Sequence, residues 1–252
     1  MTGLESVPDR RMKMNGLLAF AVDAHGGLAR WDAFSRLRAE LSVDGAIWHV
    51  KQQPGLLKNK VLEIDTHAER LSITPFSTPR HRSVFVPDCL TLETLDGEVC
   101  EMRNDPDTAF EGHVRETPWD KFHAAYFASE ALWTYLTSPF LYTYPGFVSE
   151  EIEPWQENGE IWRRLKVTFP DYIKSHTRTQ ITHFGPDGLM RRHDYTVDIL
   201  GGAPGANYTT DYRTFQGIKV PTKRRIYAYD DAMRKVPDPL LVSIDFGKLS
   251  FS

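Results

Sequence analysis

Residues 176–229 read HTRTQITHFGPDGLMRRHDYTVDILGGAPGANYTTDYRTFQGIKVPTKRRIYAY, and this stretch decides the fold. Runs at about 176–184, 189–200, 206–215 and 220–229 carry the apolar and polar alternation of half-buried strands. Turn signals separate them at Pro186-Asp187-Gly188, Gly201 to Gly205 and Gln216-Gly217. Connections this short join only antiparallel neighbours. Outward from this stretch, the runs at about 147–154 and 160–169 meet at Asn158-Gly159, and a last run covers 240–251. The second half of the chain therefore predicts one long antiparallel meander.

Upstream, the period changes between Thr117 and Leu136. Thr117-Pro118 suits an N-cap followed by a first helical residue, and Pro139 stops the segment, so a central helix is expected over about 118–137. Before it lie strand-like runs at about 38–50, 60–65, 69–75, 82–86, 89–95 and 98–103, punctuated by Gln53-Pro54-Gly55, Pro79 and Asp96-Gly97. Asn15 is placed to cap a helix over Gly16 to Ala24. Gly26-Gly27 interrupts it, and Leu28 to Leu37 resumes helical spacing with Trp31 and Phe34. Residues 1–14, with Pro8 and Arg10-Arg11, read as a flexible tail before a single domain over 15–252. These elements predict a mainly β (α+β) fold: a strongly curved antiparallel sheet, or open half-barrel, with helices covering its concave face.

Composition bounds the function. The 30 Lys and Arg against 34 Asp and Glu leave a net charge of −4, with no basic concentration, so no nucleic-acid partner is expected. No stretch approaches the roughly 18 consecutive apolar residues of a membrane helix, and no signal-peptide core stands at the N-terminus. The expected setting is the cytoplasm, without a membrane partner. There Cys89 and Cys100, which flank the Asp96-Gly97 turn, are expected to be structural thiols, although a hairpin could bring them together.

The phrase Ala24-His25-Gly26-Gly27-Leu28-Ala29-Arg30-Trp31, with Asp211-Tyr212-Arg213 and Gly217-Ile218-Lys219-Val220-Pro221-Thr222 late in the chain, resembles phrases of bacterial proteins with the outer-membrane lipoprotein carrier (LolA-like) fold. The chain is most similar to uncharacterised intracellular relatives. The resemblance implies a curved, incomplete barrel holding a hydrophobic molecule, and some intracellular members are enzymes. A chain without a signal peptide argues against periplasmic lipoprotein transport.

Two faces carry candidate chemistry. On the central helix, Trp119, His123, Tyr126, Glu130 and Trp133 share one arc, mixing aromatic rings with an imidazole and a carboxylate. On the strand over 189–200, strict alternation places Leu189, Arg191, His193, Tyr195, Val197 and Ile199 on one side. Tyr208, Thr210 and Tyr212 share a side of the next strand. His193, Tyr195 and His123 are the expected acid–base residues, because imidazole titrates near neutral pH and a phenol can donate a proton. Arg191, Trp119, Tyr126, Glu130, Trp133, Tyr208 and Tyr212 are the expected ligand contacts. Each of these residues has an ordinary structural reading too, as core aromatic or satisfied polar group.

Other motifs point away from cofactors. Gly201 to Gly205 leads into a strand and so reads as a hairpin connection, where a phosphate loop would open a helix. The nine histidines lack metal-ligand spacing, so neither metal nor cofactor is expected. Trp155 and Trp162 are expected to pack across the Asn158-Gly159 hairpin. Alternation splits the charges of Lys223-Arg224-Arg225 between the two faces of a late strand, which reads as charge protecting a sheet edge ahead of the alternative, an anion site, and Arg80 to Arg82 or His113 to Arg115 read as loop cations that would attract an acidic substrate at a pocket mouth.

The expected function is binding of a hydrophobic, aromatic small molecule, with cofactor-independent transformation of lyase, isomerase or cyclase type. The alternative is a non-catalytic carrier of a lipid or other apolar metabolite. Open sheet edges would allow a homodimer or a cap by the N-terminal tail.

Overall fold

The computed structural model describes Arg10 and residues 14–252, so the expected tail over 1–14 falls outside the described residues except at Arg10 and Met14. The buried Arg10 guanidinium pairs with Asp32 and donates to Thr143 Oγ1 at 3.2 Å.

Asn15 caps α1 (Gly16–His25), its side chain accepting the Leu18 N–H. After Gly26 and Gly27 comes α2 (Leu28–Trp31), a single turn. The helix expected to continue to Leu37 stops there because period-two burial takes over: Leu37, Ala39, Leu41 and Val43 are buried alternately on β1 (Arg36–Asp44). The strand expected to reach residue 50 gives way to α3 (Ala46–Val50), which buries Trp48. Five strands follow: β2 (Lys60–Asp65), β3 (Leu71–Thr74), β4 (His81–Val86), β5 (Cys89–Thr94) and β6 (Val99–Asn104). Cys89 lies opposite Asn104, which sets it at the far end of the hairpin from Cys100; both thiols are free.

The central helix, α4 (Lys121–Thr137), begins later than expected. The Trp119 N–H is held by the Lys51 carbonyl at 3.0 Å, which keeps the chain extended past Pro118. Asp120 then caps the helix reciprocally with His123. Fifteen of its 17 residues are buried, so it runs through the interior with no solvent face.

The second half contains β7 (Val148–Glu157), β8 (Glu160–Thr168), β9 (Thr179–Phe184), β10 (Met190–Val197), β11 (Ala203–Phe215), β12 (Ile218–Tyr229), the two-residue β13 (Lys235–Val236) and β14 (Val242–Phe251). Among the described residues, all strands form one 14-stranded sheet ordered β6-β5-β4-β3-β2-β1-β14-β12-β11-β10-β9-β8-β7, with β13 beside β12. The predicted meander is the run from β7 to β14, and the pairing of β1 with β14 joins it to a second meander formed by the first six strands. Every pairing in the sheet is antiparallel, and its ends, β6 and β7, do not meet. The result is an open, curved sheet with α4 packed against β3, β4 and β5. Among the described residues no helix is long and apolar enough to cross a membrane.

Candidate functional site

Between α4 and the sheet lies a cavity of about 710 Å³. The helix contributes Phe127, Ala128, Ala131, Leu132 and Tyr135, and the sheet contributes Tyr195 and Val197 of β10, Gly205 of β11, Ile226 of β12 and Ile244 of β14. Ala128 and Ala131 are small residues on one helix face, and the space they leave is the cavity. Trp48 of α3 and the connection Ile199-Leu200-Gly201 extend the apolar wall. The rim holds Val50, Val114 and Val236, which are 38%, 64% and 38% exposed, together with Arg115 and Asp238. His113 to Arg115 therefore stand at the mouth, and the glycine loop after β10 is the β10–β11 connection expected of it.

At the inner end the wall becomes polar. Tyr135 and Tyr195 meet hydroxyl to hydroxyl. Burial pushes both phenols to higher pKa than usual, so they are neutral hydrogen-bond donors. His176, in the chain before β9, lines the same wall with its ring 4.9 Å from that of Tyr195. Its Nδ1 lies 2.7 Å from Glu130 Oε1, and both residues are buried. A carboxylate that orients an imidazole beside a phenol is a competent acid–base arrangement.

The arc of α4 expected to face the pocket faces elsewhere. Trp119 packs among Trp48, Phe110 and Phe127, with the Lys51 ammonium 5.3 Å above its ring. His123 serves the N-cap, and its Nε2 reaches the Ala109 carbonyl at 3.1 Å. Tyr126 lies against Phe85 and Phe110, and Trp133 donates to the Asp65 carbonyl at 2.8 Å. Glu130 touches the site only through His176. An interior helix presents an apolar surface all round, so periodicity alone does not single out the arc that meets open space.

On β10 a bulge between Met190 and Arg192 resets the alternation. Met190 joins the core opposite Phe184, and Arg191 turns toward solvent to pair with Glu160 and Asp187. His193, Tyr195 and Val197 keep the inward direction; Tyr195 lines the cavity, and His193 sits behind it, 0% exposed. Burial, and then the neighbouring Arg224 charge, hold the His193 pKa well below the usual histidine range.

Tyr208 lies on the opposite face of the sheet, its hydroxyl donating to Glu157 Oε1 at 2.6 Å. There the buried Arg192 binds Asp194 Oδ1 at 2.5 Å and Glu157 Oε2 at 3.1 Å, while His183 Nε2 lies 3.0 Å from Asp194 Oδ2. Trp155 and Trp162 pair directly across their hairpin, and both rings abut His183. Tyr212 donates to the Met190 carbonyl at 2.9 Å and packs 5.8 Å from the His25 ring, away from the cavity.

Two features were not anticipated, His176 and Tyr135, and at Arg224 the expectation of edge protection fails. His176 lies in a turn-rich segment where no period marks it. Lys223-Arg224-Arg225 is not an edge, because β12 lies between β11 and β14; alternation sends Arg224 inward and leaves it 1% exposed.

No family model and no curated protein matches the chain. Three solved structures are similar in fold. A DUF1329 family protein from Desulfovibrio piger aligns at a TM-score of 0.54 and 11% identity, covering 94% of this chain and 92% of that one. A LolA superfamily protein from Nitrosomonas europaea gives 0.53 and 6%, covering 92% and 90%. An outer-membrane lipoprotein-sorting protein domain from Vibrio parahaemolyticus gives 0.52 and 9%, covering 93% and 92%. At such identities the likeness is one of architecture alone, and on that ground the chain has the LolA-like fold.

Proposed function

We propose that the protein binds a hydrophobic small molecule in the cavity between α4 and the sheet. The cavity itself carries this reading. Its size falls within the ~300–1,000 Å³ of small-molecule sites, and its walls are mostly apolar with a few polar groups at one end. The fold shared with a lipoprotein-sorting domain is in keeping with a lipid-type ligand.

Native mass spectrometry of gently purified protein, together with titration by an environment-sensitive apolar fluorophore, tests the reading. The expected result is a retained hydrophobic molecule, or saturable fluorophore binding that a filled cavity abolishes. Saturable binding that survives filling the cavity overturns it.

The Glu130–His176 pair beside Tyr195 favours a second reading, in which the bound molecule is also transformed by acid–base chemistry of lyase, isomerase or cyclase type. Once a bound molecule is identified, its recovery unchanged after prolonged incubation decides for carriage. Conversion that disappears in His176→Gln decides for catalysis.

A further inference from the structure

Three inward side chains continue the cavity's inner face one step deeper. His193 lies two residues before Tyr195 on β10, Asn207 two residues after Gly205 on β11, and Arg224 two residues before Ile226 on β12. Tyr195, Gly205 and Ile226 line the cavity, so the period-two rule puts the three polar residues on the same face, immediately beyond its end. The strand register agrees: His193 is opposite Asn207, and Thr209, next inward on β11, is opposite Arg224.

All three are buried, at 0%, 0% and 1% exposure. Both ring nitrogens of His193 and Nε and Nη1 of Arg224 have no hydrogen-bond partner among the described residues, and the Asn207 amide, which makes no well-formed hydrogen bond, has the Tyr135 hydroxyl beside it. The remaining terminal nitrogen of Arg224 donates to the Tyr135 carbonyl at 2.6 Å, and its guanidinium lies 4.8 Å from the centre of the Tyr135 ring. The acidic groups that act on it most strongly are the phenols of Tyr212, Tyr135, Tyr195 and Tyr142, which burial keeps neutral, and no carboxylate pairs with it among the described residues. A buried cation without a counter-ion is costly, and buried polar groups left unmet add to that cost. Such a cluster, adjoining an apolar cavity, is shaped for an anionic group carried on an apolar body.

The geometry points to a specific ligand class: an amphiphile with a carboxylate head, its chain in the cavity and its head received by Arg224, Asn207 and His193 at the inner end. This rests on the reading of the cavity as a binding site. The Tyr135 and Tyr195 hydroxyls form the partition between apolar space and polar cluster, and as neutral donors they turn from each other to the carboxylate oxygens as it arrives. The cations at the mouth are poorer candidates. Lys51 Nζ already donates to the Val114 and Thr117 carbonyls at 3.1 and 3.3 Å, and Arg115 is exposed to water.

Hexadecanoic acid, its methyl ester and hexadecan-1-ol, titrated against the full chain by fluorophore displacement, share a chain and differ at the head. The wild type is expected to bind the acid at least about tenfold more tightly than the ester or alcohol, a difference of ~1.4 kcal/mol or more. Arg224→Met is expected to erase that preference while leaving ester affinity within about threefold, and to keep or raise thermal stability without ligand, since it removes an unpaired buried charge. Arg115→Gln is expected to keep the preference.

Equal binding of all three compounds by the wild type overturns the carboxylate assignment and leaves the cavity reading standing. Binding of none overturns both. A preference that survives in Arg224→Met, or disappears in Arg115→Gln, moves the head group to the mouth and overturns the assignment. If Arg224→Met does not fold, Asn207→Leu and Tyr135→Phe test the same end of the cavity, each expected to reduce the preference severalfold; a preference unchanged in both overturns it as well.

Discussion

Tyr195 lies directly on Gly205, its partner across the β10–β11 pair, so closely that a Cβ at Gly205 would stand 2.5 Å from Cε2 of the ring and 3.1 Å from Cζ. The absent side chain is what lets the phenol lie flat enough on the sheet to meet Tyr135. Gly205→Ala is therefore expected to push the ring off its seat, at about 1–3 kcal/mol for overpacking, and to weaken ligand binding by breaking the hydroxyl pair at the cavity's inner end. Urea denaturation and fluorophore titration together check this. An unchanged denaturation midpoint would place the ring elsewhere.

Space on the helix side predicts the opposite balance. Ala131 faces the cavity, whereas Ala124 of the same helix is 0% exposed and contributes nothing to the cavity wall. Ala131→Phe has open volume to enter, so its unfolding free energy is expected to stay within about 1 kcal/mol of wild type while fluorophore affinity drops at least about tenfold. Ala124→Phe has no such volume and is expected to cost about 1–3 kcal/mol or more. Equal destabilisation by the two changes would mean that the space beside Ala131 is not open in solution.

The contrast between these alanines shows why the fold is easier to read than the site. Alternation and turn residues are local signals, and they located β7 to β12 with end errors of a few residues. The ends that moved did so for non-local reasons: Lys51 holding Trp119 extended, or the Leu240 and Leu241 carbonyls accepting the Ala46 and Ile47 N–H groups at the start of α3. Which side of α4 faces open space depends on what is missing opposite it, and no residue of α4 encodes that by itself. The bulge at Arg191 likewise shifts a face by one position with no glycine or proline to announce it. Arg224 became legible only once β12 was known to be interior, because an alternating basic strand at an edge reads identically.

His25 makes stability depend on pH. It closes α1 with Nδ1 2.7 Å from the Ala21 carbonyl, and burial, the largest cause, lowers its pKa from 6.5 to about 4. Between those values the unfolded chain binds a proton that the folded chain does not, so stability rises with pH across this window; the contribution is complete above about 6.5 and is lost as pH falls toward 4. At ~1.4 kcal/mol per unit the effect is a few kcal/mol. The downward shift of His193 acts in the same direction. Unfolding free energies measured in urea at pH 7.5, 6.5, 5.5 and 4.5 should decline more steeply for wild type than for His25→Gln, and parallel curves would reject the buried neutral imidazole.

Gly26 and Gly217 bring together two of the three phrases on which the resemblance rests. A Cβ on Gly26 would lie 2.5 Å from the Gly217 carbonyl oxygen and 3.0 Å from Ile218 Cδ1, and the residue has φ +128°. Its neighbour Gly27 also has positive φ, +81°, but a Cβ there would come no nearer than 4.0 Å to any atom, Asp23 Oδ1. Backbone strain is thus present at both positions and backbone collision at only one. Gly27→Ala is expected to cost about 1–2 kcal/mol for the strained conformation. Gly26→Ala adds a clash with main chain that no rotamer relieves, so the total is expected to reach about 3–5 kcal/mol and to separate α1 from the turn before β12. Hydrogen exchange localises the damage: the Gly26 change should deprotect amides of α1 and of Ile218 to Val220, while the Gly27 change should leave them slow. If both variants lose equal stability, φ alone explains the glycine pair, and the contact between the two phrases contributes nothing to holding the helix against the sheet.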